Sequence, residues 1–569
     1  MKRNLLLLAA VLPFALFLSP RASAQNEGQY VIQGIYNPTL VDAQKIDLRP
    51  EGIDTILPTM PVSYSLLPAK ADIAPRADSL AAAKLNVEKA QARLYKGFVK
   101  AGYGLYNTPI GELYFNQGRS RKNGYGFHLK HMSSNGGLDD VGPSRYGNNS
   151  IDAFYRHIIQ KNEASGRLMY DRRRISYYGY PSNDKLEDSL SLIDGDKDRL
   201  KQFYNDIGFA ARVRSLYEDS SRIAHDVGLE AHTYSNFSGS RETNIRVAVE
   251  AGKQEKTEYY HATLLIDNNA FRGRVSPDSS EFRQSGTLIG LLPSVRTVGR
   301  KYFVRAGVGL YLDALGETTF HFFPQAYAHY ALFDNILVPY VGLDGERRRN
   351  SFRSLTRENP WLNPAPRQRN TSKLFDAYGG LRGSFGNNLG FDVRASFSSH
   401  EDMPLYINTP NTPFGDRMDV VYDEVEIMDF SGELTYSTAK DTRLSARIDV
   451  YTYATRVEDE PWNLPPYKLT FAARHNLRDK LVLKAEAMFL GRRTAYRAPE
   501  ASTDSSVVAV STRTQLDGFL DLYLGAEYRY TKRLSMFLDI SNLSASKYER
   551  WYRHPTQRGL IMLGATYAF

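Results

Sequence analysis

From Gly97 to the C-terminus, apolar and polar residues alternate with a period of two. Between Thr442 and Tyr453, Leu444, Ala446, Ile448 and Val450 share one face, and Arg443, Ser445, Arg447 and Asp449 share the other. Leu534, Met536, Leu538 and Ile540 are set in the same way against Ser535, Asp539 and Ser541. A strand turns successive side chains to opposite faces, so this pattern predicts strands with one wet and one apolar surface. Tight polar turns punctuate it at 118–123, 160–163, 217–221, 253–257, 299–301, 333–335, 386–388, 438–441, 478–480 and 531–533. Between successive turns lie long polar connections near 134–148, 177–202, 267–284, 347–373, 399–426 and 493–513, with three shorter ones on the same side.

These marks predict ascending strands starting near 97, 123, 164, 222, 257, 302, 336, 388, 442, 481 and 533. Descending strands start near 110, 149, 203, 243, 286, 321, 374, 427, 466, 514 and 559. Eleven plus eleven is 22, an even number, as in single-chain bacterial barrels. Residues 97–569 are 473 positions, so 473/22 gives about 21 per strand and connection. Crossing a bilayer takes only about 9–11 residues of strand. About half of the body therefore projects beyond the membrane. The predicted fold class is all-β: a 22-stranded antiparallel transmembrane β-barrel with a short, mostly extended N-terminal periplasmic segment and one helix. Closure satisfies every backbone group in lipid. Arg443, Arg447 and Asp449 are then candidate lumen-lining residues, implying water or mutual ion pairing.

Composition sharpens this picture by exclusion. A mean hydropathy of −0.44 is too polar for a bundle of membrane-spanning helices, and 38 Tyr with 28 Phe exclude a disordered chain. The absence of cysteine excludes disulfide scaffolds, thiolate metal sites and cysteine catalysis. One long apolar run exists, Leu5 to Leu18, preceded by Lys2 and Arg3 and followed by Ala22-Ser23-Ala24. It is too short to span and reads as a signal peptide over residues 1–24, which sends the chain out of a bacterial cytoplasm. Residues 25–96 form a leader punctuated by Pro38, Pro50, Pro58, Pro61, Pro68 and Pro75, with a helix near 79–95 behind an Asp78-Ser79 cap. The leader is either a tether or a docking segment for a periplasmic or outer-membrane protein partner.

The last strand, Gly559 to Phe569, places Ile561, Leu563, Ala565, Tyr567 and Phe569 on one face. A terminal Phe569 with Tyr567 two residues before it resembles the signal that outer-membrane assembly machinery reads. A periplasmic C-terminus makes the short turns periplasmic and the long connections extracellular, and puts the leader in the periplasm too. The final stretch, Leu516 to Tyr530, is followed by Asp539-Ile540-Ser541-Asn542-Leu543 and Lys547-Tyr548-Glu549. This resembles the last three strands of TonB-dependent receptor barrels, in the variants found in Bacteroidota. In those barrels an Asn-Leu pair (here Asn542 and Leu543) and a following Lys-Tyr (here Lys547 and Tyr548) mark the final hairpin. The resemblance implies 22 strands and a location in the outer membrane. It is motif-specific over roughly the last 55 residues. Receptors of that family carry a globular plug of well over a hundred residues, whereas only 72 residues lie between the signal peptide and the first strand here. The expectation is a plugless relative.

Arginine clusters at 172–174 (Arg172, Arg173, Arg174), 347–349 (Arg347, Arg348, Arg349) and 492–493 fall at the outer ends of ascending strands. The first two are candidate lipopolysaccharide contacts, since guanidinium groups bind phosphate bidentately, and ordinary interfacial or lumenal charge is the alternative that the sequence favours. The net charge of +9 accompanies no nucleic-acid motif. Asp194-Gly195-Asp196-Lys197-Asp198 begins like a calcium loop, but Arg199 stands where the turn glycine belongs. No catalytic, cofactor or metal constellation is visible, so the expectation is not an enzyme. The partners expected are outer-membrane lipid, lipopolysaccharide and the assembly machinery. An open barrel this wide would breach the permeability barrier. The leader, folded-in loops or a partner must occlude it. The reading is therefore a gated or partner-occluded transport conduit, with an accessory scaffold of an outer-membrane complex as the alternative.

Overall fold

The computed structural model describes residues 95–569, apart from 118–119, 121, 139–140, 180–199, 218–221, 276–278, 334–335, 387, 409–416, 439–440 and 498–512. The signal peptide, the leader, the helix near 79–95 (Tyr95 aside) and the acidic run at 194–198 lie outside the described residues.

The body is one antiparallel sheet of 22 strands. In chain order these are β1 (Gly97–Gly104), β2 (Thr108–Gln117), β3 (Asn123–Ser134), β4 (Tyr146–Ile159), β5 (Asn162–Ser176), β6 (Lys201–Ser215), β7 (Ala224–Asn236) and β8 (Arg241–Glu255). They continue with β9 (Glu258–Gly273), β10 (Phe282–Val298), β11 (Tyr302–Leu315), β12 (Glu317–Tyr330), β13 (Leu337–Arg348), β14 (Thr371–Phe385), β15 (Leu389–Asn408) and β16 (Met418–Ser437). The last six are β17 (Thr442–Thr455), β18 (Tyr467–Leu477), β19 (Leu481–Leu490), β20 (Phe519–Arg529), β21 (Leu534–Ser541) and β22 (Leu560–Ala568). Each strand pairs with its successor, and β22 returns to β1 in the register Phe98↔Ala568 through Gly104↔Met562. The barrel is closed. No helix among the described residues is long and apolar enough to cross a membrane.

All eleven ascending strands start within two residues of their predicted positions. The descending strands differ more. β16 begins at Met418 instead of 427, because β15 and β16 run on as paired 20-residue strands after a bulge between His400 and Met403. Residues read as a loop there are a ladder, Met403↔Asp423 through Asn408↔Met418. Above the lipid a strand has no apolar face to display, so alternation does not betray it. β20 begins at Phe519 instead of 514, since residues 513–516 pair with 493–496 in a separate loop hairpin. The long-connection side carries eleven connections, two more than the sequence marked. The tightest is Gly316 alone between β11 and β12, at φ +85°, a backbone conformation that glycine adopts without strain.

Alternation sorts the two surfaces. On β17, Ile448 and Val450 are exposed (43% and 40%) while Asp449 between them is buried (3%). Leu168, Ile207, Val341, Met428 and Leu563 lie exposed on other strands, as expected of a lipid-facing belt. At the closing seam Gly102 stands opposite Gly564, and Phe537 of β21 lies across the pair. Lys100 Nζ sits 4.0 Å from the centre of the Phe537 ring and 3.6 Å from Asp539.

Candidate functional site: a loop folded into the barrel

The connection between β13 and β14, residues 349–370, does not project outward. Sequence reading takes it as a plain loop, yet it carries Phe352, Leu355, Trp361 and Leu362, and these are what it buries. Its one helix, α1 (Phe352–Glu358), starts at Ser351, whose hydroxyl accepts from the Ser354 amide while the Ser354 hydroxyl accepts from the Ser351 amide. These contacts satisfy part of what a helix start leaves open. The barrel wall supplies more. The Glu242 carboxylate of β8 accepts from the Phe352 and Arg353 amides at 2.6 and 3.2 Å.

Phe352 packs against Tyr204, Tyr234 and Phe271 of β6, β7 and β9. Leu355 and Leu362 join Tyr406 and Met418 of β15 and β16, and Trp551 of the connection after β21. One short segment thus ties together walls far apart in strand order. Polar contacts follow the same route. Asp206 of β6 accepts from Arg353 Nε at 2.5 Å, Arg357 Nη2 at 2.9 Å and His232 Nδ1 at 2.9 Å. The two arginines stand four apart and so share a helix face. Tyr204 and Tyr177 donate to the Pro360 and Leu362 carbonyls, and Trp361 Nε1 donates to Ser176 O. On the far wall, Leu362 bridges Met418 in parallel through Asn363 N–Met418 O (2.7 Å) and Met418 N–Trp361 O (3.0 Å). The return limb is held by Gln368 to Gln284 and Glu242, and by Asn370 to Asp313. Beside this limb lies a cavity of about 770 Å³, lined by Arg283, Arg347, Arg367 and Arg369 against Glu317 and Asp402.

Glu358, at the end of α1, accepts from the Tyr406 hydroxyl at 2.9 Å. The protein packed around it raises its carboxyl above the ordinary range, opposed by that hydrogen bond and by Arg348 and Arg550, while solvent still reaches the residue and limits the effect. A raised folded value means that the docked loop holds a proton which the released loop gives up above about pH 4.3. Docking is therefore expected to be tightest in acid and to weaken as pH rises through the shifted value. Proteolysis of residues 349–370, followed from acid to neutral pH, checks this; Glu358→Gln should flatten the profile.

The structure divides the predicted arginines. Arg347 pairs with buried Asp313 at 2.9 Å, and Arg349 pairs with buried Asp267 at 2.6 Å and donates to the Asp267 and Gly286 carbonyls. Arg173 donates to the Thr356 carbonyl of α1 and lies over Tyr204. These three face the interior and are committed there, which removes them from any lipid contact. Arg348 acts on the Glu358 carboxylate. Arg172 and Arg174 alternate with Arg173 and lie over outward-facing Phe203 instead. Arg493 donates to the Arg550 and Glu549 carbonyls, both at 2.6 Å, while Arg492 stays exposed. Arg447 bonds Asp449 at 2.9 Å and pairs with Glu433, on the face opposite Ile448 and Val450. Arg443 shares that face, opposite Arg474.

The Asn542-Leu543 and Lys547-Tyr548 pairs build the final hairpin connection. Asn542 takes φ +46° and donates to the Ser546 and Gln557 carbonyls, both at 2.9 Å. Leu543 is exposed and Lys547 half-buried. Tyr548 stacks on Phe519 (centroids 3.8 Å) and donates to Asp521. Asn542→Ala removes both hydrogen bonds from a buried left-handed position, with an expected cost of about 1–3 kcal/mol. Denaturant unfolding of the detergent-solubilised barrel checks this. Tyr567 and Phe569 are exposed on one face, 6.4 Å apart between ring centres, and the Phe569 backbone closes the sheet against Lys96 and Gly97.

The residues missed from sequence are Asp206, Glu242, Trp361 and Gln368. The available signal was apolar and aromatic side chains inside a connection that a solvated loop would make polar. Among the described residues, no group of His, Asp or Glu has the arrangement of a metal site.

A closed 22-stranded barrel with an apolar outer face and a charged interior has the architecture of an outer-membrane barrel. No family model and no curated protein sequence matches the chain. Solved structures do. The FrpB iron transporter from Neisseria meningitidis aligns with a TM-score of 0.63 at 10% identity, covering 83% of this chain and 81% of that one. The siderophore receptor PirA from Acinetobacter baumannii gives 0.63 at 10%, covering 83% and 80%. The copper transporter OprC gives 0.61 at 11%, covering 83% and 80%. At such identity the likeness is one of fold.

Proposed function

We propose that the protein is an outer-membrane transport conduit whose lumen is occluded by its own connection 349–370, with the long connections extracellular. The observation that carries this reading is the span of that connection, anchored on β5–β11 on one side and on β15–β16 on the other. Its fold is shared with proteins described as iron and copper transporters and a siderophore receptor. In this reading the occlusion that those residues provide needs no separate plug. Arg283, Arg347 and Arg369 at the cavity are already paired with Glu281, Asp313 and Asp402, so its lining singles out no class of solute.

The test exploits the absence of native cysteine. Leu362→Cys and Met418→Cys put thiols across the parallel bridge, within the reach of a disulfide. The reduced variant is expected to pass small solutes slowly into proteoliposomes through occasional release of the loop, and oxidation to lock the loop and abolish that passage. Equal passage in both states would refute gating by this loop. Maleimide labelling of intact cells carrying Val457→Cys, at an exposed loop position, is expected to succeed if the long connections are extracellular.

A further inference from the structure

A second cavity, of about 490 Å³, lies on the outer face of the barrel at the long-connection end of β2 to β6. Its lining includes Arg145, Arg172, Arg174, His131, Asn149 and Phe203. Alternation places it outside. Arg172 follows exposed Leu168 on the same face of β5, and Asn149 precedes exposed Ile151 on that of β4. The register His131↔Asn149↔Arg172 sets these three side by side across neighbouring strands. Arg172 and Arg174 lie 4.5 and 5.6 Å from the centre of the Phe203 ring, so one aromatic surface holds both guanidinium groups. His131 Nδ1 is fixed by Asn149 at 2.6 Å and its Nε2 by Ser133 at 3.2 Å.

Charge is what sets this place apart. The interior arginines Arg347, Arg349, Arg353 and Arg357 are each matched to an aspartate. Among the described residues that line the outer cavity there is no carboxylate. Arg174 Nε is shielded from solvent and has no hydrogen-bond acceptor among the described residues. Arg145 and Arg172 are exposed and Arg174 is half-buried, so three arginines gathered without an acid can receive an anion, and phosphate fits planar guanidinium donors. Asn107, Ser133, Asn135 and Asn149 add amides and hydroxyls of the kind that bond sugar hydroxyls. The site lies on the long-connection side of exposed Ile151 and Leu168, at the end of the apolar belt where lipid headgroups would meet the barrel.

We propose that this cavity binds the phosphate of a phosphorylated glycolipid in the outer leaflet. The proposal rests on the long connections being extracellular, which the Val457→Cys labelling reads separately. It does not require the barrel to be a conduit.

The test uses the full-length protein in nanodiscs. It compares retention of a diphosphorylated lipid A, the same glycolipid without phosphates, phosphatidylglycerol and free inorganic phosphate. Native mass spectrometry is expected to show the diphosphorylated glycolipid retained. Arg172→Gln/Arg174→Gln should lower its retention about tenfold, the loss of roughly one charge-assisted contact or more. Arg241→Gln/Arg272→Gln, at exposed positions elsewhere on the outer face, should leave it unchanged. Heat-modifiable migration on gels shows whether each variant is folded. Equal retention by the folded double variant, or of the dephosphorylated glycolipid, would overturn the proposal. So would displacement by millimolar inorganic phosphate, which would make the site one for free anions, or equal retention of phosphatidylglycerol.

Discussion

Asp206→Ala is expected to release the inward loop. This carboxylate is the shared acceptor of Arg353, Arg357 and His232, and it is itself buried. Removing it leaves two cations and an imidazole facing one another across an apolar patch. Breaking a buried ion pair costs about 3–5 kcal/mol, and the lower end applies because both arginines keep partial contact with water. The loop is then held on that side by its aromatic contacts, by Glu242 and by the hydrogen bonds of Arg173, Tyr177, Tyr204 and Trp361. Protease should cut within 349–370 in the variant at concentrations that spare the parent, while the barrel itself remains heat-modifiable. Asp206→Asn should lie between, since it keeps an acceptor oxygen but not the charge. An unchanged cleavage pattern in both variants would show that the latch is elsewhere.

Gly564→Val is expected to block closure of the barrel. A β-carbon at this position would stand 2.3 Å from the Ala101 carbonyl oxygen and 2.4 Å from the Phe537 ring. The ring can rotate away, but the carbonyl belongs to the ladder between β1 and β22 and cannot. Forcing extra carbons into a packed site usually costs about 1–3 kcal/mol, and here the strain falls on the contact that joins the first and last strands. The expected outcome is little folded protein in the outer membrane and accumulation of unfolded chain. Phe537→Ala added to Gly564→Val should not restore folding, because the clash with the backbone remains. Recovery in that double variant would mean that the ring alone sets the requirement.

The barrel was legible because lipid imposes one rule on every strand. Leu444 to Val450 and Leu534 to Ile540 must alternate, and the ten short turns must lie close to the membrane. Once strands leave the lipid that rule lapses. For this reason Met403 to Asn408 and Met418 to Asp423 read as loop and fold as a ladder. The inward loop was hidden for a related reason. Phe352 and Leu355 show a short helical spacing, but their partners Tyr204, Tyr234, Tyr406 and Met418 are brought near only by closure of the whole barrel. Arginine clusters suggested a function without direction. Neighbours in sequence, Arg172 and Arg173, point to opposite faces, and only the strand parity within β5 tells them apart.

The proposed closure of the lumen by residues 349–370 is open to direct electrical measurement. Single-channel recording in planar bilayers tests it most directly, comparing the intact protein with a variant whose residues 352–367 are replaced by a Gly-Ser linker. A nearly silent trace is expected for the intact protein, and large, long-lived openings for the variant. Contradiction would come from an intact protein that already conducts as an open pore, or from a variant that stays silent until residues 25–95 are also removed.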